Sequence, residues 1–469
     1  MRRWTRRSVI ASGLALAGCA AVDRPRLAAM YGSVSRPGDQ PPLILIPGAF
    51  GSSLRKRSSG REIWPASDSM LLFGNYRELE LPIDPATLEP DAQNAEAYAV
   101  FRTGLGRDFY GGVIDTLQRV GGYERCLPGV PPRNGPGCGL YLYLYDFRLD
   151  GVRAARGLAE LIARIRQDCG DPRLKVDVVA HSGGGMIARY FVRHGTRGLP
   201  PTGMLEPTYE GAAAIRRLLL VGTPSLGTLQ PVLSLLRGEE IGLRRIPPEI
   251  VATCPGITEM MPHPAVPWLI DVQGKSVDAD LYDIATWRDF GWSLFDPNIA
   301  ARTISTHGGG AEGRRHLNLL REYLARNLQR GRAFASSFAT QPDPRDVPTW
   351  VFGGDCAPTL ARLVLESIDG RYHARERVAD IAAPAARDYE RLMHEPGDLV
   401  VTRSSLLGRR TLDVAAPRGP EESLRIAHAL FFCEQHQKLV GNASFQDNLL
   451  HALFSVDVAR RDRHRDEKS

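Results

Sequence analysis

The chain has 469 residues, of which 43% are hydrophobic and 24% are charged, a composition typical of globular proteins with one to three domains. Four of its 59 basic residues, Arg2, Arg3, Arg6 and Arg7, lie in the first eighteen residues, which hold no acid, so the rest carries 55 basic against 53 acidic residues. That near-balance gives no electrostatic reason to expect a nucleic-acid partner, and no apolar run is long enough to span a bilayer.

The N-terminus has the pattern of a bacterial export signal. The pair Arg6-Arg7 precedes a short apolar stretch, Val9–Ala17, a combination that resembles a twin-arginine signal. The sequence LAGC, which ends at Cys19, resembles a lipobox, in which cleavage frees the cysteine and lipid is attached to it. We therefore expect an exported lipoprotein, lipidated at Cys19 and anchored to an envelope membrane facing the periplasm. A plain secretory peptide with a coincidental cysteine is the alternative.

Strands and helices alternate in the first half of the chain. PLILIPGAFGSSL (42–54) predicts a buried strand and a turn, and GLYLYLYDFRLD (139–150) is β-rich. Leu158, Leu161 and Ile165 lie on one face of a predicted helix that ends at CGDP. LKVDVVA, MIARYFVRHG and IRRLLLVGTP then predict a strand, a helix and a strand. This alternation of apolar strands and helices predicts a parallel sheet covered on both faces.

The alternation lapses after residue 225, where the chain is rich in Met, Trp and Pro before a helical segment, HLNLLREYLARNLQRG. We interpret this segment as a cap above the sheet. TWVFGGD (349–355) and LRIAHALFFCE (424–434) resume strand character, and RRDRHRDEKS is a solvated tail. The expected units are an export signal (1–18), a tether (19–41), the first part of an α/β core (42–225), a cap or lid insertion (226–345), the second part of the core (346–458) and a polar tail (459–469).

Six cysteines follow Cys19, an even number that is compatible with disulfides in an oxidising compartment. Cys126 and Cys138 flank the Pro/Gly-rich loop LPGVPPRNGPG, and we expect them to pair. Cys356 with Cys433 is a second expected pair, and buried free thiols are the alternative. No cysteine pattern has the spacing of a zinc site, and no metal or organic cofactor is expected.

The segment VVAHSGGGM (178–186) lies between a predicted strand and a predicted helix. In a nucleophile elbow the strand turns sharply into the helix, which requires small residues two positions before and after the serine. Ala180 and Gly184 satisfy this requirement around Ser182, in the form A-x-S-x-G rather than the commoner G-x-S-x-G. We therefore predict that Ser182 is a nucleophile, with an ordinary turn serine as the alternative.

A serine nucleophile needs a base that is itself oriented by an acid, and in this architecture the chain order is serine, acid, histidine. His436 directly follows a predicted strand, where a general base must lie, whereas His428 would lie inside that strand and His451 in a terminal helix. For the acid, both Asp398 in EPGDLVVTRSSL and Asp355 at the end of TWVFGGD occupy loop positions.

The transition state also needs donors for its oxyanion. The backbone N–H of Gly183 is one expected donor, and the loop after the first strand should supply the other. In LIPGAFGS the residue after Pro47-Gly48 is Ala49, and Phe50 is the alternative by a shift of one position.

Six segments in chain order resemble the lecithin–cholesterol acyltransferase-like family of α/β hydrolases: LILIPGAFGSSL, YDFRLD, VVAHSGGG, LLLVGTPSLGT, PGDLVVTRSSL and HQKLVGNASFQDNLL. The resemblance covers about Pro42 to Leu453 and is weaker through 60–135 and 235–340. It implies an α/β-hydrolase fold, a mostly parallel sheet covered by helices on both faces with a helical cap or lid. It also implies transfer of acyl chains from glycerolipids to an alcohol or to water.

The resemblance assigns the site residues. It implies that Ser182 is the nucleophile, Asp398 the acid, His436 the base, and the N–H groups of Gly183 and Ala49 the oxyanion donors. AHSGGG departs from the usual HSMGG because a glycine stands where methionine is common, but a glycine still offers its N–H.

Other matching segments have expected structural or binding roles. Asp146 and Arg148 match a YDWR pattern that is structural in the family. EIWP around Trp64 and the stretch Met260–Trp268, together with Phe50, resemble lid and acyl-binding elements.

We therefore expect a serine acyl hydrolase or acyltransferase that acts on long-chain esters through an acyl-enzyme, without a cofactor. Its expected partners are a lipid ester and a membrane. A lipase or esterase that never transfers to an alcohol is one rival, and a catalytically silent, lipid-binding envelope lipoprotein is another.

Overall fold

A computed structural model describes residues 40–65, 68–74, 76–133, 137, 139–200, 203–339 and 343–466, with the main chain alone for Ser69 and residues 455–466. The expected export signal, most of the tether, Cys19 and Cys138 lie outside the described residues. Among the helices of the described ranges, none combines the length and the apolar character that a bilayer crossing needs.

Strands and helices alternate along the described chain. The strands are β1 Leu43–Ile46, β2 Ser52–Lys56, β3 Ala95–Val100, β4 Thr103–Gly104, β5 Arg107–Asp108, β6 Glu124–Arg125, β7 Gly139–Leu142, β8 Val176–His181, β9 Ile215–Val221, β10 Glu239–Ile241, β11 Arg244–Ile246, β12 Leu269–Asp271, β13 Thr349–Gly354, β14 Ala357–Leu360, β15 Leu363–Ile368, β16 Arg371–Arg375, β17 His394–Gly397 and β18 Ile426–Phe432. The α-helices are α1 Asp68–Phe73, α2 Gly111–Arg119, α3 Gly151–Asp168, α4 Gly183–His194, α5 Gln230–Arg237, α6 Pro248–Val251, α7 Pro255–Thr258, α8 Ile284–Asp289, α9 Pro297–Thr306, α10 Gly310–Ser336, α11 Tyr389–Met393, α12 Arg403–Leu406 and α13 Ala443–Asp466. Short 3₁₀ turns lie at Tyr76–Leu79, Gly211–Ala214, Ser293–Phe295, Val378–Asp380, Pro384–Ala386 and His436–Gly441.

Seven strands form one parallel sheet in the order β18-β13-β9-β8-β1-β7-β6. Every residue of β1 and of β8 is buried, because helices cover both faces of the sheet. The predicted parallel sheet is confirmed. Since the strands run in one direction, their carboxyl ends lie at one edge, which is where α/β sheets carry their sites.

Successive side chains of β1 point to opposite faces of the sheet and therefore pack into two different cores. Ile44 and Ile46 pack with α3 and α4 on one face of the sheet. Leu43 and Leu45 pack with α2 and α13 on the other face. The helices α3 and α4 confirm the predicted helical segments of this region, and the Asp150 carboxylate caps α3 by accepting the Arg153 N–H.

A third core belongs to the cap. It contains the buried rings and leucines of α5–α10, with Trp287 fully buried at its centre. Three residues that lie between β1 and β6 in the chain pack into the same core: Leu54, Trp64 and Tyr76. The cap therefore combines described residues of three stretches of the chain: residues 50–100, residues 226–339, and the segment of β15 and β16, whose Leu363 packs in this core and whose β15 pairs with β12.

One disulfide joins the ends of two neighbouring strands in the sheet. Cys356 follows β13 and Cys433 follows β18, with their Cα atoms 5.0 Å apart, so the expected pair Cys356–Cys433 is confirmed. Cys126, Cys169 and Cys254 are free thiols, so the cysteines do not all pair. The partner expected for Cys126, Cys138, lies outside the described residues.

We expect that Cys433→Ser lowers the free energy of unfolding by about 2–4 kcal/mol, because the disulfide closes a long loop, with 77 residues of sequence separation. Urea titrations with and without dithiothreitol measure the effect. Reductant should lower the midpoint of wild type and of the control Cys169→Ser, which removes a free thiol, but not that of Cys433→Ser. Equal midpoints for oxidised and reduced wild type would contradict the prediction.

Candidate active site

Ser182 lies in a tight turn between β8 and α4. Its backbone has φ 53° and ψ −128°, a left-handed conformation that non-glycine residues rarely adopt. The turn is held because the Ser182 N–H donates to the Val221 carbonyl and the Gly185 N–H donates to the Ser182 carbonyl. Backbone strain of this kind persists where the surrounding structure holds it, and here it presents the hydroxyl at the carboxyl edge of the sheet.

Small residues let the neighbouring loop reach this turn. A Cβ added to Gly184 would lie 2.4 Å from the Pro47 carbonyl oxygen, so the loop after β1 packs directly on the elbow. A Cβ added to Gly183 would lie 2.8 Å from the sulfur of Met260. The departure of AHSGGG from HSMGG therefore fits the close approach of Met260 to position 183.

Ser182, His436 and Asp398 form one hydrogen-bonded chain. The Ser182 Oγ lies 3.0 Å from His436 Nε2, and His436 Nδ1 lies 2.8 Å from Asp398 Oδ2. Because the carboxylate only accepts, Nδ1 carries the proton, which leaves the Nε2 lone pair to accept the serine hydroxyl. The structure thus brings together the three side chains that the sequence named for the triad.

Asp398 is held as an ionised group. Its side chain is fully buried, and its Oδ1 accepts N–H groups from Val400 and Val401. Burial acts to raise the pKa of Asp398, but the attraction and hydrogen bond of His436 and these N–H donors outweigh it and lower the pKa below its ordinary value. The backbone N–H of His436 also donates to the backbone carbonyl of Asp398, which fixes the two residues relative to each other.

Two glycines make room for the imidazole and the carboxylate. Gly222 follows β9 with φ +58°, and a Cβ there would lie 3.0 Å from His436 Cε1. A Cβ on Gly354, at the end of β13, would lie 2.8 Å from the Cβ of Asp398. Sequence patterns gave no indication of either glycine, since their role depends on residues about 40 to 210 positions away.

The rival triad residues lie elsewhere. Asp355 forms an ion pair with Arg403, with 3.3 Å between nitrogen and oxygen. His428 lies exposed on β18, with its ring 4.0 Å from that of Trp350. The choice of Asp398 over Asp355 as the partner of His436 is therefore decided by the fold.

The two residues whose N–H groups are expected to bind an oxyanion lie side by side. A Cβ built on Gly183 would lie 3.7 Å from the Ala49 nitrogen, and both residues line one pocket beside Ser182. The Gly51 N–H donates to the Gly48 carbonyl and closes the turn that presents Ala49. Of the two alternatives, Ala49 rather than Phe50 is therefore the residue beside Gly183.

Tyr110 holds this loop, and sequence reasoning missed it. The buried hydroxyl accepts the Gly48 N–H at 2.8 Å and shares a hydrogen bond of 2.7 Å with His181 Nδ1. Burial, with a further contribution from His436, lowers the pKa of His181 to about 3. His181 is therefore neutral and orients Tyr110 without adding a second charge beside His436.

The pocket beside Ser182 is mostly apolar. It is lined by Tyr145, Met186, Met260 and Phe334, with Glu259 at its wall. Glu259 accepts the Gly151 N–H at the start of α3, and burial, then the nearby charge of Asp150, raises its pKa well above the ordinary value. A protonated Glu259 leaves the pocket without a net charge.

Of the expected lid residues, Met260 lines the pocket and the other three lie behind it. The Trp64 indole N–H donates to the Phe50 carbonyl, and the Phe50 ring packs 4.6 Å from that of Phe147, which lines the pocket. Trp268 lies in the cap core against Trp292. Trp64 and Trp268 are thus buried packing residues.

Asp146 and Arg148 form a buried structural pair, as expected. Two Arg148 nitrogens donate to the two Asp146 oxygens at 2.9 and 2.6 Å. A third nitrogen of Arg148 donates to the Leu79 carbonyl at 3.4 Å, which ties the early cap segment to the loop after β7.

No protein-family model and no curated protein matches the chain. Among solved structures, a chain of the crystal structure of the Tle4–Tli4 complex is similar, with a TM-score of 0.54 and 14% identity over 89% of this chain and 98% of that chain. EstA from Clostridium botulinum is 12% identical over 89% of this chain and 88% of that chain, with a TM-score of 0.34. Together with the parallel sheet, the first likeness shows that the chain has the α/β-hydrolase fold, as predicted. At this identity it carries the fold alone.

The low pKa of His181 predicts a pH dependence of stability. Above pH 6.5 the histidine is neutral in both states, whereas between pH 6.5 and about 3 the unfolded chain takes up a proton that the native state excludes. The free energy of unfolding should therefore fall as the pH falls, and His181→Gln should reduce that slope by about 1.4 kcal/mol per pH unit. Urea unfolding from pH 7 to pH 4 measures it. The exposed His428→Gln should keep the wild-type slope, and parallel curves for His181→Gln and wild type would refute the assignment.

Proposed function

We propose that this protein is a serine-dependent acyl hydrolase or O-acyltransferase that acts on glycerolipids or related long-chain esters through an acyl-enzyme. The observation that carries the proposal is the hydrogen-bonded chain from Ser182 Oγ to His436 Nε2, 3.0 Å, and from His436 Nδ1 to Asp398 Oδ2, 2.8 Å. This arrangement activates a hydroxyl as a nucleophile.

In the first half-reaction, the Ser182 oxygen attacks the ester carbonyl carbon while His436 Nε2 takes the hydroxyl proton. The oxyanion of the tetrahedral intermediate accepts the N–H groups of Gly183 and Ala49, and Asp398 stabilises the imidazolium. When the intermediate collapses, the bond to the leaving alcohol breaks, and His436 gives the proton to that alcohol. The acyl group is then esterified to Ser182.

In the second half-reaction, water or an acceptor alcohol attacks the acyl-enzyme, and His436 takes the proton of the attacking oxygen. Collapse of the second intermediate releases a carboxylic acid or a new ester and returns the proton to Ser182. The two products differ only in the attacking group. We favour an enzyme that can use both, because the chain resembles acyltransferase-like hydrolases in six segments.

The pocket supports a long-chain acyl group. Its side walls are formed by Met186, Ile187, Met260 and Phe334, and protonated Glu259 adds no charge. Each methylene buried there contributes about 0.8 kcal/mol to binding. An apolar acyl chain is therefore favoured over a charged or sugar-like substituent.

An exposed apolar patch lies on the cap and suits a lipid surface. Phe73 of α1 and Leu243 in the turn between β10 and β11 are 73% and 79% exposed. Gly242 packs against the Leu71 carbonyl and near Leu105, so α1 and this turn are neighbours. Exposed apolar patches mark sites of contact with membranes or partners. The patch supports a substrate that is presented in a lipid aggregate.

We also propose export to the cell envelope with a lipid anchor at Cys19. The support is the N-terminal pattern of Arg6-Arg7 and LAGC, together with the exposed Cys356–Cys433 disulfide. Exposed disulfides persist in oxidising compartments and are rare in the cytosol.

We expect wild type to release fatty acid from at least one phospholipid or acylglycerol, and to form a new ester when a long-chain alcohol is added. Ser182→Ala should abolish both products and labelling by a fluorophosphonate. Asp398→Asn should lower kcat by about 10⁴-fold, because the imidazole loses its orienting acid. Chromatography of the products formed by wild type and by each variant measures these effects.

The matched control is Asp355→Asn, which removes the rival acid that pairs with Arg403 and should keep wild-type turnover. Equal turnover by wild type and Ser182→Ala, or a loss confined to Asp355→Asn, would contradict the proposed triad. Fatty acid without any transferred ester would limit the activity to hydrolysis.

We expect that Tyr110→Phe lowers kcat about 10-fold on a soluble short-chain ester and changes KM little. The variant leaves the buried Gly48 N–H without its acceptor, at a free-energy cost of about 1–3 kcal/mol, and loosens the loop that carries the Ala49 donor. Tyr389→Phe is the control, since it removes a hydroxyl that donates to Val272 outside the site. An unchanged kcat in Tyr110→Phe would show that this loop does not depend on the hydroxyl.

A further inference from the structure

Three potential metal ligands converge in the cap, outside the site described above. Glu80 directly follows the 3₁₀ turn Tyr76–Leu79, His307 follows the last residue of α9, and His316 lies in the second turn of α10. One ligand atom from each lies within 4.8 Å of the others. We refer to these residues as the Glu80–His307–His316 cluster.

The distances suit a shared cation. Glu80 Oε1 lies 3.0 Å from His307 Nε2 and 3.2 Å from His316 Nε2. Around a tetrahedral zinc ion with ligand distances of about 2.0–2.1 Å, neighbouring ligand atoms lie about 3.3 Å apart. The two distances from the carboxylate oxygen to the imidazole nitrogens are thus close to those between neighbouring ligands of a tetrahedral zinc ion.

The hydrogen bonds of His307 identify which nitrogen is free to bind. Its Nδ1 lies 2.9 Å from the Thr303 carbonyl oxygen, which only accepts, and 3.1 Å from the Thr306 hydroxyl. Nδ1 therefore carries a proton, and in a neutral ring the lone pair lies on Nε2 and faces Glu80. Metal-bound histidines usually donate the N–H of their other ring nitrogen to a carbonyl or carboxylate oxygen, and His307 makes this contact with the Thr303 carbonyl.

The two imidazole rings lie against each other. The His307 and His316 rings are stacked with centroids 3.7 Å apart. His307 Nε2 also lies 3.3 Å from the second oxygen of Glu80, Oε2, so the whole carboxylate faces the two histidines.

We propose that Glu80 Oε1, His307 Nε2 and His316 Nε2 bind a zinc ion, with water as the fourth ligand. Two imidazoles and one carboxylate form a ligand set that zinc accepts readily. The three side chains are about one quarter exposed, which leaves the ion access from solvent.

The fold prearranges the two histidines. The turn Gly308–Gly310 between α9 and α10 has positive φ at all three residues, and it reverses the chain tightly. A Cβ on Gly313 would lie 2.2 Å from the Ile304 carbonyl oxygen, so α9 and α10 pack in direct contact and stack the two rings. The glycine-rich turn therefore supplies the geometry that brings His307 to His316.

The ion would join two of the stretches that build the cap. Residues on both sides of Glu80 are fixed: the Leu79 carbonyl accepts from Arg148, and the Leu81 N–H donates to the Thr253 hydroxyl. Arg148 adjoins Phe147, which lines the pocket beside Ser182. Zinc at the cluster would thus clamp the early cap segment to the α9–α10 hairpin, and its role is structural.

The test measures zinc content and thermal stability of the full chain, purified without a histidine tag or chelator. We expect about one zinc ion per chain by atomic mass spectrometry. A chelator should lower the Tm of wild type, and added Zn²⁺ should restore it. Glu80→Gln and His316→Ala should lose the zinc, have a lower Tm and show no response to chelator or to Zn²⁺.

The matched control is His394→Gln, which removes another partly buried histidine with a glutamate partner, Glu390, at 3.2 Å and should keep one zinc ion. If a cluster variant fails to fold, chelation and readdition with wild type still decide the question. Wild type without zinc and without a Tm response to Zn²⁺ would overturn the proposal. Equal restoration by Mg²⁺ would overturn it as well, because a site with two imidazoles binds Mg²⁺ weakly. None of these readouts depends on the proposed acyl chemistry.

Discussion

The site depends on one constraint, which is that four neighbouring strands, β8, β9, β13 and β18, run parallel to one another. These four neighbouring strands end at one edge of the sheet, and each end carries a residue of the site or a glycine that makes room for one. Backbone hydrogen bonds connect the ends in sequence, from Ser182 N–H to the Val221 carbonyl and from Gly222 N–H to the Phe352 carbonyl. Displacement of one strand end would therefore separate the nucleophile from its base.

Buried polar groups around this edge are paired so that the site carries one defined negative charge. Asp398 is ionised and holds His436, while His181 and Glu259 are neutral because burial disfavours their charged forms. Tyr110 connects neutral His181 to the loop after β1. The hydroxyl of Ser182 consequently faces a base that a single ionised carboxylate holds in place.

The described residues of the cap contribute apolar side chains, and no charged group, to the pocket beside Ser182. Its core is separate from the two cores of the sheet, and Met260 brings it into contact with Gly183 at the elbow. Arg148 ties the early cap segment to the loop that carries Phe147, so a change in the cap can reach the pocket wall. The proposed zinc ion acts on the same segment from the other side, through Glu80.

The sequence by itself determined the backbone pattern: the apolar runs of β1, β8 and β9, the helical faces of α3 and α4, and the small residues around Ser182. These features are local, because hydrophobic periodicity and turn chemistry act within a few residues. It could not separate Asp398 from Asp355 without a family resemblance, and it gave no sign of Tyr110 or of the Glu80–His307–His316 cluster. Those depend on contacts between side chains as far apart as 236 residues, between Glu80 and His316. Only the packing of the cap and the alignment of the strand ends decide which such groups meet, and a local pattern carries no information about that.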